Sequence, residues 1–329
     1  MKNEIIPSVR LKVVSVHKLQ ALVCPRKYYW TFVRNLESKN LSEALWWGSV
    51  LGAGWEAFLM NKDWKKEMRK EDKKHCRNKH ISADTAEDMD VIRSIIETQL
   101  ECAQRQPVVK DFKITKTQEK FAVPLKCGVL FCGTKDAVGT DGGIPALFEN
   151  KTTSQMSPAY LESLRYGKQV NGYAWSEWME GRKDKVTQCR CCIFGKPGLR
   201  VKKDQSIAEF KDEIRCDIIG GIDYRGKKRQ PRPDVYYRWL KFKFGSSTVR
   251  DTGKDIEQET FDLLMKYSRA TEKQILDPYF WPRRENKCAE YAGCSFQALC
   301  KDVSRWEMYL GGFQQREMLY KQEREELLD

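Results

Sequence analysis

The chain has 329 residues, 41% of them hydrophobic, and carries 59 Lys and Arg against 46 Asp and Glu, for a formal net charge of +13. Such a composition excludes a disordered tail, and no apolar run approaches the roughly 18 residues that span a bilayer. Lys2, Glu4, Arg10 and Lys12 interrupt the apolar residues of the first stretch, so a signal-peptide centre is excluded there and a soluble, cytoplasmic protein with no membrane contact is expected.

The first predicted elements are helical. Ser15 is placed to cap a helix carrying Leu19, Leu22 and Tyr28, and a second helix is expected from Leu41 to Met60. Residues 61–110 are rich in Lys, Asp and Glu, with a periodic stretch around Val91, Ile95 and Leu100, the pattern of a solvated helical insertion. The centre then changes character. Strands are predicted over Thr115 to Leu125, Val129 to Val138 and Ile144 to Glu149, the last two joined by the turn signal Thr140-Asp-Gly-Gly143. A helix from about Ser157 to Glu180 and a strand from Val186 to Phe194 complete a crossover unit of an α/β sheet. Residues 200–235 are polar and mixed. A strand over Val235 to Phe244, a helix over Asp255 to Thr271 and a charged closing helix over Gln314 to Leu328 follow. Three segments result: a helical part at 1–110, a core at 111–200 and a C-terminal part at 201–329.

The hairpin carries the informative residues. Asp136 lies near the end of one strand, and Glu149 and Lys151, two apart on the next, point to one face. Two carboxylates and an ammonium thus converge. Carboxylate oxygens suit Mg²⁺ or Mn²⁺, which lowers the pKa of a bound water and offsets charge on a phosphate. Ordinary exposed charges at strand ends are the bland alternative, but Ala146, Leu147 and Phe148 lead directly into Glu149, and a buried unpaired acid is costly. Gln169 and Tyr173, four apart, share a face of the following helix.

The order Asp136, Glu149-Asn-Lys151, Gln169-Val-Asn-Gly-Tyr173 resembles the RecB-like branch of the PD-(D/E)XK nuclease superfamily. The resemblance implies an α/β core with a central mixed sheet flanked by helices, and a Mg²⁺- or Mn²⁺-dependent deoxyribonuclease. It implies metal binding by Asp136, Glu149 and the Asn150 backbone, a catalytic Lys151, and support from Gln169 and Tyr173. The family's N-terminal helix carries a further His ligand in G-x-x-x-H-x-x-x-E; here Gly48 to Glu56 places Gly52 at that position and keeps Glu56 as a further ligand or a brace.

Cys24, before the core, joins Cys288, Cys294 and Cys300 after it in a pattern similar to the iron–sulfur subgroup of this family, which includes CRISPR-associated exonucleases, AddB-type nuclease domains and exonuclease V. The resemblance implies a four-iron cluster, although the terminal spacing of five and five departs from the usual two and five. Four thiolates also fit structural zinc. Cys189, Cys191 and Cys192 alternate on a strand and are expected to be core. Arg26, Lys27 and Tyr28 mix cations with a ring, a composition that serves single-strand binding or a core face equally. The basic run Arg225 to Arg232 is expected to be a mobile loop. The expected activity is exonuclease action on single-stranded DNA or ends, in DNA repair, recombination or phage or CRISPR processing, with a helicase, recombinase or CRISPR protein as possible partner. A non-catalytic iron–sulfur binding module and an endonuclease are the rival readings.

Overall fold

The computed structural model describes residues 10–40, 42–77, 81, 83–182, 186–198, 200–288 and 294–317. In chain order the first elements are β1 (Val13–Val14), α1 (Val16–Ala21), α2 (Pro25–Tyr28), β2 (Leu36–Ser38), α3 (Glu43–Leu59), α4 (Trp64–Cys76) and α5 (Ala83–Ala103). The central elements are β3 (Phe112–Pro124), β4 (Leu130–Asp141), β5 (Ile144–Thr153), α6 (Pro158–Arg165), α7 (Lys168–Met179), β6 (Gln188–Gly195) and α8 (Ile207–Ile219). A short hairpin, β7 (Gly221–Ile222) and β8 (Lys228–Arg229), precedes α9 (Pro233–Tyr236) and β9 (Tyr237–Lys243). The chain then forms α10 (Ser246–Ser268), α11 (Glu272–Ile275), α12 (Gln297–Lys301) and β10 (Phe313–Gln315).

Two compact units emerge: one comprises residues 1–40, 120–133 and 247–329, the other residues 41–119 and 134–246. In the second unit the strands run in the order β3, β4, β5, β6, β9. β4 and β5 are antiparallel, β5 and β6 parallel, β6 and β9 antiparallel. This is the mixed sheet flanked by helices that the resemblance implied. The β4–β5 turn is tight because Gly142 and Gly143 both take positive φ (61° and 80°) between the paired Asp141 and Ile144, a type I′ geometry that matches strand twist. At Gly139 a Cβ would lie 2.1 Å from the Lys113 carbonyl oxygen, so only glycine lets β3 cross there.

The core of this unit joins α3, α5 and α8 to the sheet through Trp46, Trp55, Ile96, Leu100, Phe194, Phe210 and Ile214, all essentially without solvent exposure. Burying each such side chain stabilises by about 1.5–3 kcal/mol. The expectation of a solvated insertion at 61–110 is corrected here. α4 is polar, with Met68 as its buried residue. By contrast α5 turns Ile92, Ile95, Ile96 and Leu100 into the core, and its buried Gln99 donates to the carbonyls of Gly195 (2.7 Å) and Tyr236 (3.1 Å).

Other boundaries differ for local reasons. The single helix expected from Ser157 to Glu180 breaks at Gly167, which caps α7 with an extended backbone. The single first helix breaks before Pro25, although Ser15 caps α1 as expected by accepting from the Lys18 N–H at 3.2 Å. α8 was hidden in the polar 200–235 stretch; Ser206 and Glu209 form a reciprocal capping box at its start. The basic run at 225–232 is not a mobile loop but an ion-paired hairpin. Asp223 holds Arg229 at 2.8 Å, and Asp217 holds Arg232 at 2.6 Å. Gln314 lies in β10, paired with β2, rather than in a closing helix; positions 318–328 of that expectation lie outside the described residues.

In the first unit β1 runs parallel to the first residues of β4. Tyr28, Tyr29, Trp30 and Trp281 are fully buried, with Tyr28 and Trp281 ring centroids 5.2 Å apart. Among the described residues no helix is long and apolar enough to cross a membrane.

Candidate active site

The β4–β5 ladder ends at the pair Ala137 and Phe148, one residue short of Asp136 and Glu149. β5 continues alone along β6 as far as Thr153. Its other edge is therefore open from Asn150 onward, and the Asn150 N–H, released from the ladder, donates to Asp136 Oδ2 at 2.7 Å. The two strands part where the carboxylates sit.

Glu149 is 2% exposed, and its Oε1 accepts from Lys151 Nζ at 2.5 Å. Lys151 also donates to Gln169 Oε1 at 2.8 Å, and Gln169 Nε2 donates to the Tyr173 hydroxyl at 3.1 Å. α7 thus reaches β5 through Gln169, which is bonded in turn to Tyr173 on the same helix face. The structure brings Asp136, Glu149, Lys151, Gln169 and Tyr173 together: Asp136 is bonded to the Asn150 N–H, and Glu149, Lys151, Gln169 and Tyr173 form a hydrogen-bonded chain beside it. The Asn150 side chain adds nothing to it, since both its polar atoms are buried without a partner.

The electrostatics are those of crowded acids. Burial, then the Asp136 charge, push Glu149 up to about 7. Burial raises Asp136 as well, against the Asn150 N–H and Lys151 that favour its charged form. Burial works against the Lys151 ammonium, but Glu149 and Asp136 outweigh it and its pKa rises. Glu56, one helix away on α3, is pushed up to about 8 by burial and then by Asp136. It accepts from Gln118 Nε2 at 2.7 Å, a partner on β3 that carries no sequence signal. The α3 pattern leaves Gly52 one turn from Glu56, and a Cβ built there meets no atom within 4 Å.

Among the described residues no three His, Cys, Asp or Glu side chains form a group that could hold a metal ion. Mg²⁺ does not demand three, since it is usually bound through one or two carboxylates and keeps several waters. Asp136 and Glu149 supply two oxygen donors of raised proton affinity, side by side, which is the donor chemistry that suits a hard divalent cation.

The four cysteines belong to the other unit. Cys294 feels the charges of Cys24 and Cys288, and Cys300 those of Cys294 and Cys24. The Cys294 N–H donates to the Cys288 carbonyl at 3.0 Å, and the Trp30 indole donates to Cys300 Sγ at 3.3 Å. Of the two readings of Arg26, Lys27 and Tyr28, single-strand binding or a core face, Arg26 and Tyr28 take the core: Arg26 Nε donates to the Trp281 carbonyl at 2.6 Å, and of the three only Lys27 is exposed. Cys189, Cys191 and Cys192 are fully buried on β6.

The sheet thus parts at a carboxylate pair, with a lysine two residues on and a helix side chain bonded to that lysine. A profile described as the PD-(D/E)XK nuclease superfamily matches residues 13–301. The chain belongs to the PD-(D/E)XK nuclease superfamily. No curated protein matches. Among solved structures, the crystal structure of LHK-Exo in complex with dAMP matches at 12% identity, over 68% of this chain and 94% of that one, with a TM-score of 0.28, too low to carry weight.

Proposed function

We propose that the protein is a Mg²⁺- or Mn²⁺-dependent deoxyribonuclease of the RecB-like branch that acts as an exonuclease on single-stranded DNA or DNA ends. The observation that carries this reading is the closed group of Asp136, Glu149, Lys151, Gln169 and Tyr173 at the parting of β4 and β5. Asp136, Glu149 and the Asn150 backbone would hold the divalent ion. Bound there, the ion supplies charge compensation for the phosphate and a lowered pKa for water. Lys151 would orient the attacking water and contact the scissile phosphate. Gln169 holds Lys151 in place, and Tyr173 holds Gln169. Glu56, bonded to Gln118, braces the carboxylates from α3.

Linear and covalently closed single-stranded DNA of one sequence, incubated with Mn²⁺, test the mode. An exonuclease degrades the linear form and leaves the circle whole; loss of the circle at the same rate identifies an endonuclease.

The reading extends to a four-iron cluster on Cys24, Cys288, Cys294 and Cys300. The indole N–H on Cys300 Sγ is a contact that favours a thiolate over a thiol. Anaerobically purified protein should contain about four irons and matching sulfide per chain. Zinc in their place, or no metal, would exclude the cluster.

A further inference from the structure

Lys135 is the neighbour of Asp136 on β4, yet it is 1% exposed, and no feature of the catalytic group accounts for a buried lysine there. Its ammonium makes an ion pair with Glu177 and lies 3.6 Å from Glu119 Oε2. Glu177 is itself buried and also takes Arg182, at 2.9 and 3.0 Å. Burying such charges is expensive, and an apolar pair of similar volume is often as stable. Stability alone is therefore a weak reason for the pair.

Its position supplies a better one. Gln169, Tyr173 and Glu177 recur every four residues on α7 and so form one stripe. The stripe touches the sheet at two places. At one end Gln169 takes Lys151 on β5, and at the other Glu177 takes Lys135 on β4. α7 is thereby bonded to both strands of the active site, one peptide from Asp136 and directly at Lys151. These strands have no ladder bonds between them at Asp136 and Glu149, because their pairing ends at Ala137 and Phe148. A rigid helix bonded to each would set their separation where the ladder does not.

We propose that the Lys135–Glu177 ion pair is a positioning device for the catalytic group: it fixes α7 against β4 so that Gln169 presents Lys151 to the Asp136–Glu149 pair. Lys135 and Glu177 touch neither substrate nor reacting atoms and act through Gln169. The inference rests on the nuclease reading for its effect on rate, but not for its effect on the helix.

The test is a mutant cycle joined to hydrogen exchange. Lys135→Met is chosen because Glu177 keeps Arg182 as a partner, and Lys135→Arg is the conservative rescue. Lys135→Met should lower kcat on the order of ten- to a hundredfold, with KM within about twofold, since small misplacements of catalytic groups cost that much. In a Gln169→Ala background the same change should cost less than about twofold, because the route of its action is already removed. Lys135→Arg should restore most of kcat. In native-state exchange, amides over residues 167–179 should lose protection in Lys135→Met while those over 92–103 keep it. Equal losses of kcat in both backgrounds, or exchange that rises evenly over the unit, would overturn the proposal and leave a merely structural pair. Glu177→Gln should repeat the pattern if Lys135→Met folds poorly. A wild-type protein without nuclease activity would refute the proposed function instead, and the exchange comparison would still decide the positioning role.

Discussion

The proposed catalytic group and the four cysteines are built in opposite ways. Asp136 to Tyr173 come from one hairpin and the helix after it, and strand register alone brings them together, with every link a hydrogen bond of 2.5 to 3.1 Å. The cysteines come from positions 24, 288, 294 and 300, and burial raises the thiols of Cys294 and Cys300. A site assembled by local topology is preorganised by backbone bonds made for other reasons. A site assembled from the two ends of a chain depends on long-range closure, which a bound cluster would secure as a cross-link.

The contrast can be broken by mutation, the largest effect first. Lys151→Ala should lower kcat on the order of a thousandfold or more, read in a nuclease assay, while the melting temperature holds, because the removed ammonium leaves acids that a divalent ion can still neutralise. Cys24→Ser should do the reverse. It should remove iron and visible absorbance and lower the melting temperature steeply, since metal binding free energy is folding free energy in such a site. Retention of both would mean that Cys24 is no ligand. Tyr173→Phe, which removes the hydroxyl that holds Gln169, should cost on the order of tenfold in kcat, about 1.4 kcal/mol, with KM unchanged.

The smallest effect separates two glycines of α3. Gly52→Ala finds open space and should stabilise by about 0.5–1 kcal/mol, a helix-interior gain. At Gly54 a Cβ would stand 2.7 Å from Leu100 Cδ1 in the core, so Gly54→Ala should lose that gain by about 1–3 kcal/mol of overpacking. Urea denaturation of the pair would show whether the space beside Glu56 is as open as the backbone indicates.

Much of the candidate site is legible because its spacing rules are short. Asp-Gly-Gly before Ile144 fixes the hairpin, an offset of two places Glu149 and Lys151 on one face, and an offset of four places Gln169 and Tyr173 on one stripe. Glu177 continues that stripe at the same offset and could have been found, but its partner Lys135 could not, because nothing local marks a lysine as buried. Gln118 escaped for the same reason: its contact with Glu56 joins β3 to α3. The α8 helix had a visible start in Ser206 and Glu209, outweighed by the surrounding charges. Those charges pair within the fold, Lys202 and Arg229 on Glu213 and Arg232 on Asp217, so polar composition concealed an ordered region. Arg26 and Tyr28 misled in the opposite sense. A cation beside rings suits DNA, but here the guanidinium satisfies the Trp281 carbonyl inside an aromatic core.

The central claim is that Asp136 and Glu149 hold a divalent ion that is needed for DNA hydrolysis. It is tested most directly by digesting end-labelled single-stranded DNA with wild type and Glu149→Ala across a Mn²⁺ titration. Wild type should degrade the DNA only when Mn²⁺ is present and stop on addition of chelator, and Glu149→Ala should leave it intact at every concentration. Degradation by wild type in chelator, or by Glu149→Ala at the wild-type rate, would contradict the account.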